Sequence, residues 1–177
     1  MSPEKTQKFW EAFYDFFPEV ALPVTVSETT INYYSVNNKA LPKELIETYL
    51  VDQALFFADQ DHPDPLEDIE EFIPCFRLPQ QEKYHAIVYW KAGLMKYEYI
   101  LKTFDLKGKL ISKQIIASTS SDGQFIRHIV ATITDELEIY LMGGDASVNE
   151  LYDASSSIEL AFEIDEDGFI MQQLGES

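Results

Sequence analysis

Four stretches in close succession decide the fold: YHAIVYWK (Tyr84–Lys91), MKYEYILKTF (Met95–Phe104), KLISKQIIAS (Lys109–Ser118) and QFIRHIVAT (Gln124–Thr132). Each is rich in β-branched and aromatic residues, and Gly or Asp-Gly marks each break, the pattern of antiparallel strands joined by short turns. The turn FDLKGK (Phe104–Lys109) predicts its own geometry. Asp105 opens it, and Gly108 stands where a type I turn followed by a bulge needs a left-handed residue. Pairing Asp105 with Lys109 then predicts Thr103 opposite Ile111, Leu101 opposite Lys113, Tyr99 opposite Ile115 and Tyr97 opposite Ala117. That register gathers the larger apolar side chains on one face. Lys96, Glu98, Lys102, Ser112, Gln114 and Ser118 fall on the other, interrupted by Ile100 and Ile116. A one-residue slip would scatter the apolar set, so the pairing is specified.

Downstream, Glu136–Met142 alternates Leu137, Ile139 and Leu141 with Glu136, Glu138 and Tyr140. Ile158, Leu160, Phe162 and Ile164 likewise alternate with Glu159, Ala161 and Glu163. Asp165-Glu166-Asp167-Gly168 repeats the hairpin chemistry of Asp105–Gly108 and returns into Phe169–Gln172. Upstream, Glu70–Leu78 reads as a strand that Pro74 confines to an edge or a bulge. The run Asp59–Asp68, with two prolines and many charges, is a loop. It separates a helical part, 1–58, from a β part, 70–177.

The helical part opens with Ser2 as N-cap, Pro3 at the first helical position and Glu4 near the positive end of the dipole. Phe9, Phe13, Phe16 and Phe17 follow at helical spacing beside Trp10, until Pro18 ends the run. So large an aromatic stripe must be covered, by the domain's own sheet or by a partner groove. Val24–Val26 and Thr29–Tyr34 read as short strands, with Asn37-Asn38 as a turn. Leu41–Leu50, led by Pro42, reads as a second amphipathic helix. The sum is an α+β fold in one domain, 1–177: an antiparallel, mostly meander sheet of about six to eight strands, packed by two N-terminal helices.

At 177 residues with 46% hydrophobic and 14% aromatic content, the chain can bury a sizeable core and is not disordered in composition. Cys75 is the sole cysteine, which excludes an intrachain disulfide and a cysteine-built zinc site and suits a reducing compartment. The start MSPEKTQKFW lacks the apolar run of a signal peptide, and no stretch approaches the length of a membrane span. A cytoplasmic protein with no membrane partner is the expectation; a chain whose signal had been removed would read the same way.

The net charge of −18 is unevenly placed. Lys83–Ser118 holds seven Lys against two acids, whereas Asp135–Ser177 holds twelve acids and no Lys or Arg. Net repulsion disfavours nucleic acid as a partner and allows a basic protein, although solubility accounts for the same excess. In the acidic tail, alternation places Glu136, Glu138, Glu159, Glu163, Asp165 and Asp167 on one solvent face, a candidate surface for such a basic partner.

Other candidates weigh less. Glu163–Ile170 overlays the first eight positions of a calcium-binding EF-hand loop, but Leu174 stands where the bidentate Glu belongs, and a strand precedes it where a helix is required. A β-hairpin turn is the reading, with no metal or cofactor. Asp59, Asp61, His62 and Asp64 could converge on a divalent ion, yet their spacing selects no geometry. His85 and His128 sit in expected strands and would need an orienting carboxylate to act as bases. Cys75 has no adjacent Lys or His to activate it. Tyr84, Tyr89, Tyr97, Tyr99 and Tyr140 could line a pocket or serve in packing. The leading expectation is a non-enzymatic binding or protein-interaction domain. Its alternatives are an acidic inhibitor or immunity protein against a basic toxin, and a small hydrolase or ligand-binding protein with a site in the sheet's concavity.

Overall fold

A computed structural model describes residues 2–51, 70–147 and 157–174. Among them are α1 (Pro3–Asp15), β1 (Val24–Val26), a 3-10 turn (Glu28–Thr30), α2 (Ile31–Asn37) and α3 (Lys43–Tyr49). The chain continues through β2 (Glu71–Arg77), β3 (Tyr84–Gly93), β4 (Lys96–Asp105), β5 (Leu110–Ser121), β6 (Phe125–Ile133), β7 (Glu138–Ser147), β8 (Ile158–Ile164) and β9 (Ile170–Gln172). All these strands belong to one sheet in the order β2-β3-β4-β5-β6-β7-β8-β9, with β1 beside β6 as its ninth member. Every pairing is antiparallel, so the sheet is a meander, as the turn chemistry predicts.

The meander curls until its two halves share a core. Tyr84, Val88 and Leu101 from β3 and β4 pack in one cluster with Ile133, Ile139, Phe162 and Ile164 from β6 to β8, and Val26 and Tyr34 join them. On the convex side of β2–β4, Phe72, Ile87, Tyr89, Ile100 and Phe104 pack with Trp10, Phe13 and Phe17 and with Leu41, Leu45 and Leu50. The aromatic stripe of the first helix is therefore covered by the domain's own sheet. The Ser2 hydroxyl accepts from the Lys5 N–H at 3.3 Å, capping α1 as expected.

Three details depart from the expectations. First, Asp105 faces Lys109 across the turn, with the Asp105 N–H donating to the Lys109 carbonyl at 2.8 Å, but β5 then carries two bulges. The register passes from Phe104↔Leu110 to Thr103↔Ser112, and from Ile100↔Ile115 to Tyr99↔Ala117, leaving Ile111 and Ile116 as the extra residues. Each bulge shifts the facing of the downstream side chains by one position. Ile116 and Ala117 thus both enter the core, while Ile115 turns out to 39% exposure. The two isoleucines that interrupt the polar face are explained: Ile100 is buried under the helices, and Ile116 is swung inward.

Second, Thr29–Tyr34 is a 3-10 turn leading into helix α2, not a strand. The Ser27 N–H donates to the Thr30 hydroxyl at 3.0 Å, and that hydroxyl in turn donates to the Ser27 carbonyl at 2.9 Å. This local bonding starts a helix that β-branched content alone does not suggest. Third, Leu137 is not a strand residue. It holds φ 61° in the turn before β7, so the strand begins at Glu138.

The sheet edge at β2 is closed by side chain and backbone. Asn38 Nδ2 donates to the carbonyls of Pro74 and Cys75 at 2.7 and 2.9 Å, and Arg77 exchanges hydrogen bonds with Pro18 and Val20. The Asp59–Asp68 loop lies outside the described residues.

Candidate interaction face

Alternation and register together build one outward face on the acidic half of the sheet. Across β7 and β8, Glu138 pairs with Glu163, Tyr140 with Ala161 and Met142 with Glu159. Their neighbours Ile139, Leu141 and Phe162 point inward and are buried. β6 adds Thr132 beside Tyr140 and Val130 beside Met142, and β9 adds Met171 beside Glu163. The centre of this face is apolar and exposed: Val130 38%, Tyr140 41%, Met142 56% and Met171 52%. A shallow cleft of about 480 Å³ lies where β9 ends beside β8, bordered by Tyr140, Met142, Leu160, Gln173 and the exposed Leu174.

Carboxylates surround that centre. Tyr140 donates its phenol proton to Glu138 Oε2, and Gln173 Nε2 donates to Glu163 Oε2 at 3.4 Å. The Tyr140 phenol is held above its ordinary pKa, first by that bond, then by desolvation and by the charges of Glu138 and Glu136. Glu136 itself precedes β7, in the β6–β7 turn. Like charges directly opposite one another, as Glu138 and Glu163 are, oppose sheet pairing and favour the approach of a cation.

Asp165 and Asp167 stand apart from Glu138, Glu159 and Glu163. Asp165 Oδ1 accepts from the backbone N–H groups of Asp167 and Phe169, both at 2.9 Å, and so is engaged by its own turn. Asp167 lies 3.1 Å from Lys83 Nζ, at the base of β3. The β8–β9 turn is tied there as well, because the Thr103 hydroxyl donates to the Gly168 carbonyl at 2.6 Å. A search of the sequence for charge misses the apolar members Val130, Met142, Met171 and Leu174. The signal for the first three is apolar residues in the polar phase of β6, β7 and β9, and Leu174 follows the end of β9.

The remaining candidates are dispersed. The stretch resembling a calcium loop is a tight hairpin, with the Asp165 N–H donating to the Phe169 carbonyl at 2.9 Å. Among the described residues no group of three or more His, Cys, Asp or Glu side chains could hold a metal ion; Asp59, Asp61, His62 and Asp64 lie outside them. His85 is buried on the convex side, its ring 4.5 Å from that of Tyr14. Burial, with Arg77 nearby, holds it below its ordinary pKa. His128 does meet a carboxylate, Glu28 at 3.3 Å, and the Thr119 hydroxyl at 3.3 Å, both through Nδ1. Both side chains are about half exposed, so solvent screens the pair.

Cys75 is buried, which pushes its thiol pKa well up and leaves it unreactive. The tyrosines lie in different parts of the fold. Tyr84 and Tyr99 are in the concave core, where the Tyr99 hydroxyl donates to the Ser27 carbonyl at 2.8 Å. Tyr89 is under the helices, Tyr97 stacks on Trp90 at 5.5 Å, and Tyr140 is on the outer face. The concavity of the sheet is filled with apolar side chains. Among the described residues no helix is long and apolar enough to cross a membrane. No protein family, no curated protein and no solved structure matches this chain.

Proposed function

We propose that this chain is a cytoplasmic, non-enzymatic binding domain that takes a basic protein on the outer face of β6–β9. The observation that carries the reading is the pairing of an exposed apolar centre, Val130, Tyr140, Met142 and Met171, with a rim of Glu138, Glu159 and Glu163. An exposed apolar patch rimmed by polar groups is a feature of interaction sites. Charge on the rim steers the encounter and selects the sign of the partner, while the apolar centre supplies affinity once water is displaced. The acidic tail then has a use beyond solubility.

The test is capture of partners from lysate at low and high salt, with binding kinetics on the best hit for wild type and two variants. Glu138→Lys/Glu159→Lys should slow association, and Met142→Asp should speed dissociation. The wild-type on-rate should fall as ionic strength rises. A partner whose binding ignores both variants and salt would remove this face from the function.

A further inference from the structure

We infer that the basic partner is held by strand addition: it lays an extended segment, with basic and apolar residues alternating, along the open half of the β8 edge. This rests on the outer-face reading above and names how the partner is gripped there.

The hydrogen-bond phase of β8 defines the edge. The Ile164 N–H donates to the Leu137 carbonyl on the β7 side, whereas the Ala161 carbonyl accepts from the Gln173 N–H at 2.7 Å and the Asp165 N–H donates to the Phe169 carbonyl at 2.9 Å on the β9 side. Backbone groups alternate sides along a strand, so the N–H and C=O of Glu159 face the same way as those of Ala161. The pairs of β9 end at Phe162, while β7 pairs the whole run from Ile158 to Glu163. Among the described residues no strand lies beside Ile158–Leu160 on the side away from β7. This stretch carries none of the Lys, Pro or bulge devices that blunt an edge, whereas the β2 edge at the far end of the sheet is closed by Asn38 and Arg77.

The cleft of about 480 Å³ straddles this edge. Glu159 and Ala161 border it from the outer face, with Tyr140 and Met142, and Leu160 borders it from the inner face, 38% exposed although its partner Leu141 is buried. A strand laid there puts alternate side chains beside Leu160 and beside Glu159, so an apolar residue suits one phase and a cation the other. That charge decides against a second copy of this chain as the occupant. Its own β8 edge would bring Glu159 and Glu163 against the same carboxylates, and like charges across a strand pair are destabilising.

Titration calorimetry of the full chain with a capped Lys-Val-Lys-Val-Lys-Val peptide tests the inference. Two isomers carry N-methyl groups on either all Lys or all Val amides, so composition and charge are equal and only one edge of each can donate. In an antiparallel pair, a residue opposite Glu159 shares its face and exchanges both hydrogen bonds with it, so the Lys amides are the ones used. Saturable one-site binding of the parent peptide is expected, with the Lys-methylated isomer at least tenfold weaker and the Val-methylated isomer close to the parent. The reverse order would support a parallel strand at the same edge. Glu159→Lys should weaken the parent at least tenfold, and Leu160→Asp should weaken it independently. Equal affinity of the two isomers, or no saturable binding of the parent at millimolar concentration, would overturn strand addition. The outer-face reading fails separately, when a partner captured from lysate ignores salt and Met142→Asp. A dimer of the free chain that the peptide dissociates would overturn the choice of occupant in favour of a second copy. Binding tightened tenfold by removal of residues 175–177 would overturn it in favour of the chain's own end.

Discussion

Gly108→Ala should destabilise the domain by about 2–4 kcal/mol, and the two parts of that figure are separable. Gly108 holds φ 92°, and a left-handed residue with a Cβ costs roughly 1 kcal/mol. The new Cβ would also lie 2.8 Å from Trp10 Cδ2 and 2.9 Å from Cγ and Cε3, against an optimum of about 3.5–4.0 Å for carbon pairs. The indole cannot retreat freely. Trp10 is 2% exposed and packs against Phe104 at 4.9 Å, Tyr49 at 5.4 Å and Phe13 at 5.6 Å between ring centroids. Overpacking of that kind costs about 1–3 kcal/mol. Gly123 is the internal control: its φ is 97°, but nothing lies within 4 Å of its Cβ position, so Gly123→Ala should show only the conformational part, about 1 kcal/mol.

Urea denaturation of both variants, with a slope of about 2 kcal/mol/M, should place the Gly108→Ala midpoint about 1–2 M below wild type and the Gly123→Ala midpoint about 0.5 M below. Trp10→Leu in the Gly108→Ala background should recover much of the difference as coupling energy. Equal midpoints for the two glycine variants, with unchanged slopes, would show that Trp10 does not press on this turn.

His85 makes stability depend on pH. Its folded pKa is lowered by burial and then by Arg77, so the unfolded chain binds more protons near its ordinary value of about 6.5, and stability falls as pH drops through that value. His85→Phe should flatten the slope of stability between pH 7.5 and 5.5, values spanning about one unit either side of the ordinary pKa, and a slope left intact would assign it to other groups. Met95 holds φ 64° at an exposed hairpin turn, so Met95→Asn should raise stability by a few tenths of a kcal/mol up to about 1 kcal/mol; a lowered denaturation midpoint would mean that the methionine side chain contributes packing there. Lys102→Met should cost about 1–3 kcal/mol by leaving the α3 carbonyls without their ammonium, read by the same denaturation. Calcium titration should give no saturable heat at the Asp165–Gly168 turn, because Asp165 Oδ1 already accepts two backbone N–H groups; a micromolar event abolished by Asp165→Ala would contradict this.

The features legible in the amino-acid order alone are local: the α+β class, the strands of the meander, the cap at Ser2, and the left-handed glycines at 108 and 168. Each comes from side-chain alternation or from a conformation that few residues can adopt, and neither needs a distant partner. Other features depend on contacts far apart in the chain. The bulges at Ile111 and Ile116 are set by how β5 must twist while feeding both faces of the curled sheet, and no turn residue announces them. Thr29–Tyr34 is helical because Ser27 and Thr30 bond each other while Tyr34 finds Phe76, at 5.6 Å between ring centroids.

The candidate face divides in the same way. Glu138, Glu159 and Glu163 share it because a period of two is a backbone property legible in sequence. The same alternation, carried into Asp165 and Asp167, fails because a hairpin turn has no such period, and Asp167 lies against Lys83 from the base of β3. The apolar centre required knowing which neighbours β6, β7 and β9 bring together and that nothing among the described residues covers them. Exposure belongs to the folded surface as a whole, and a residue's identity does not carry it.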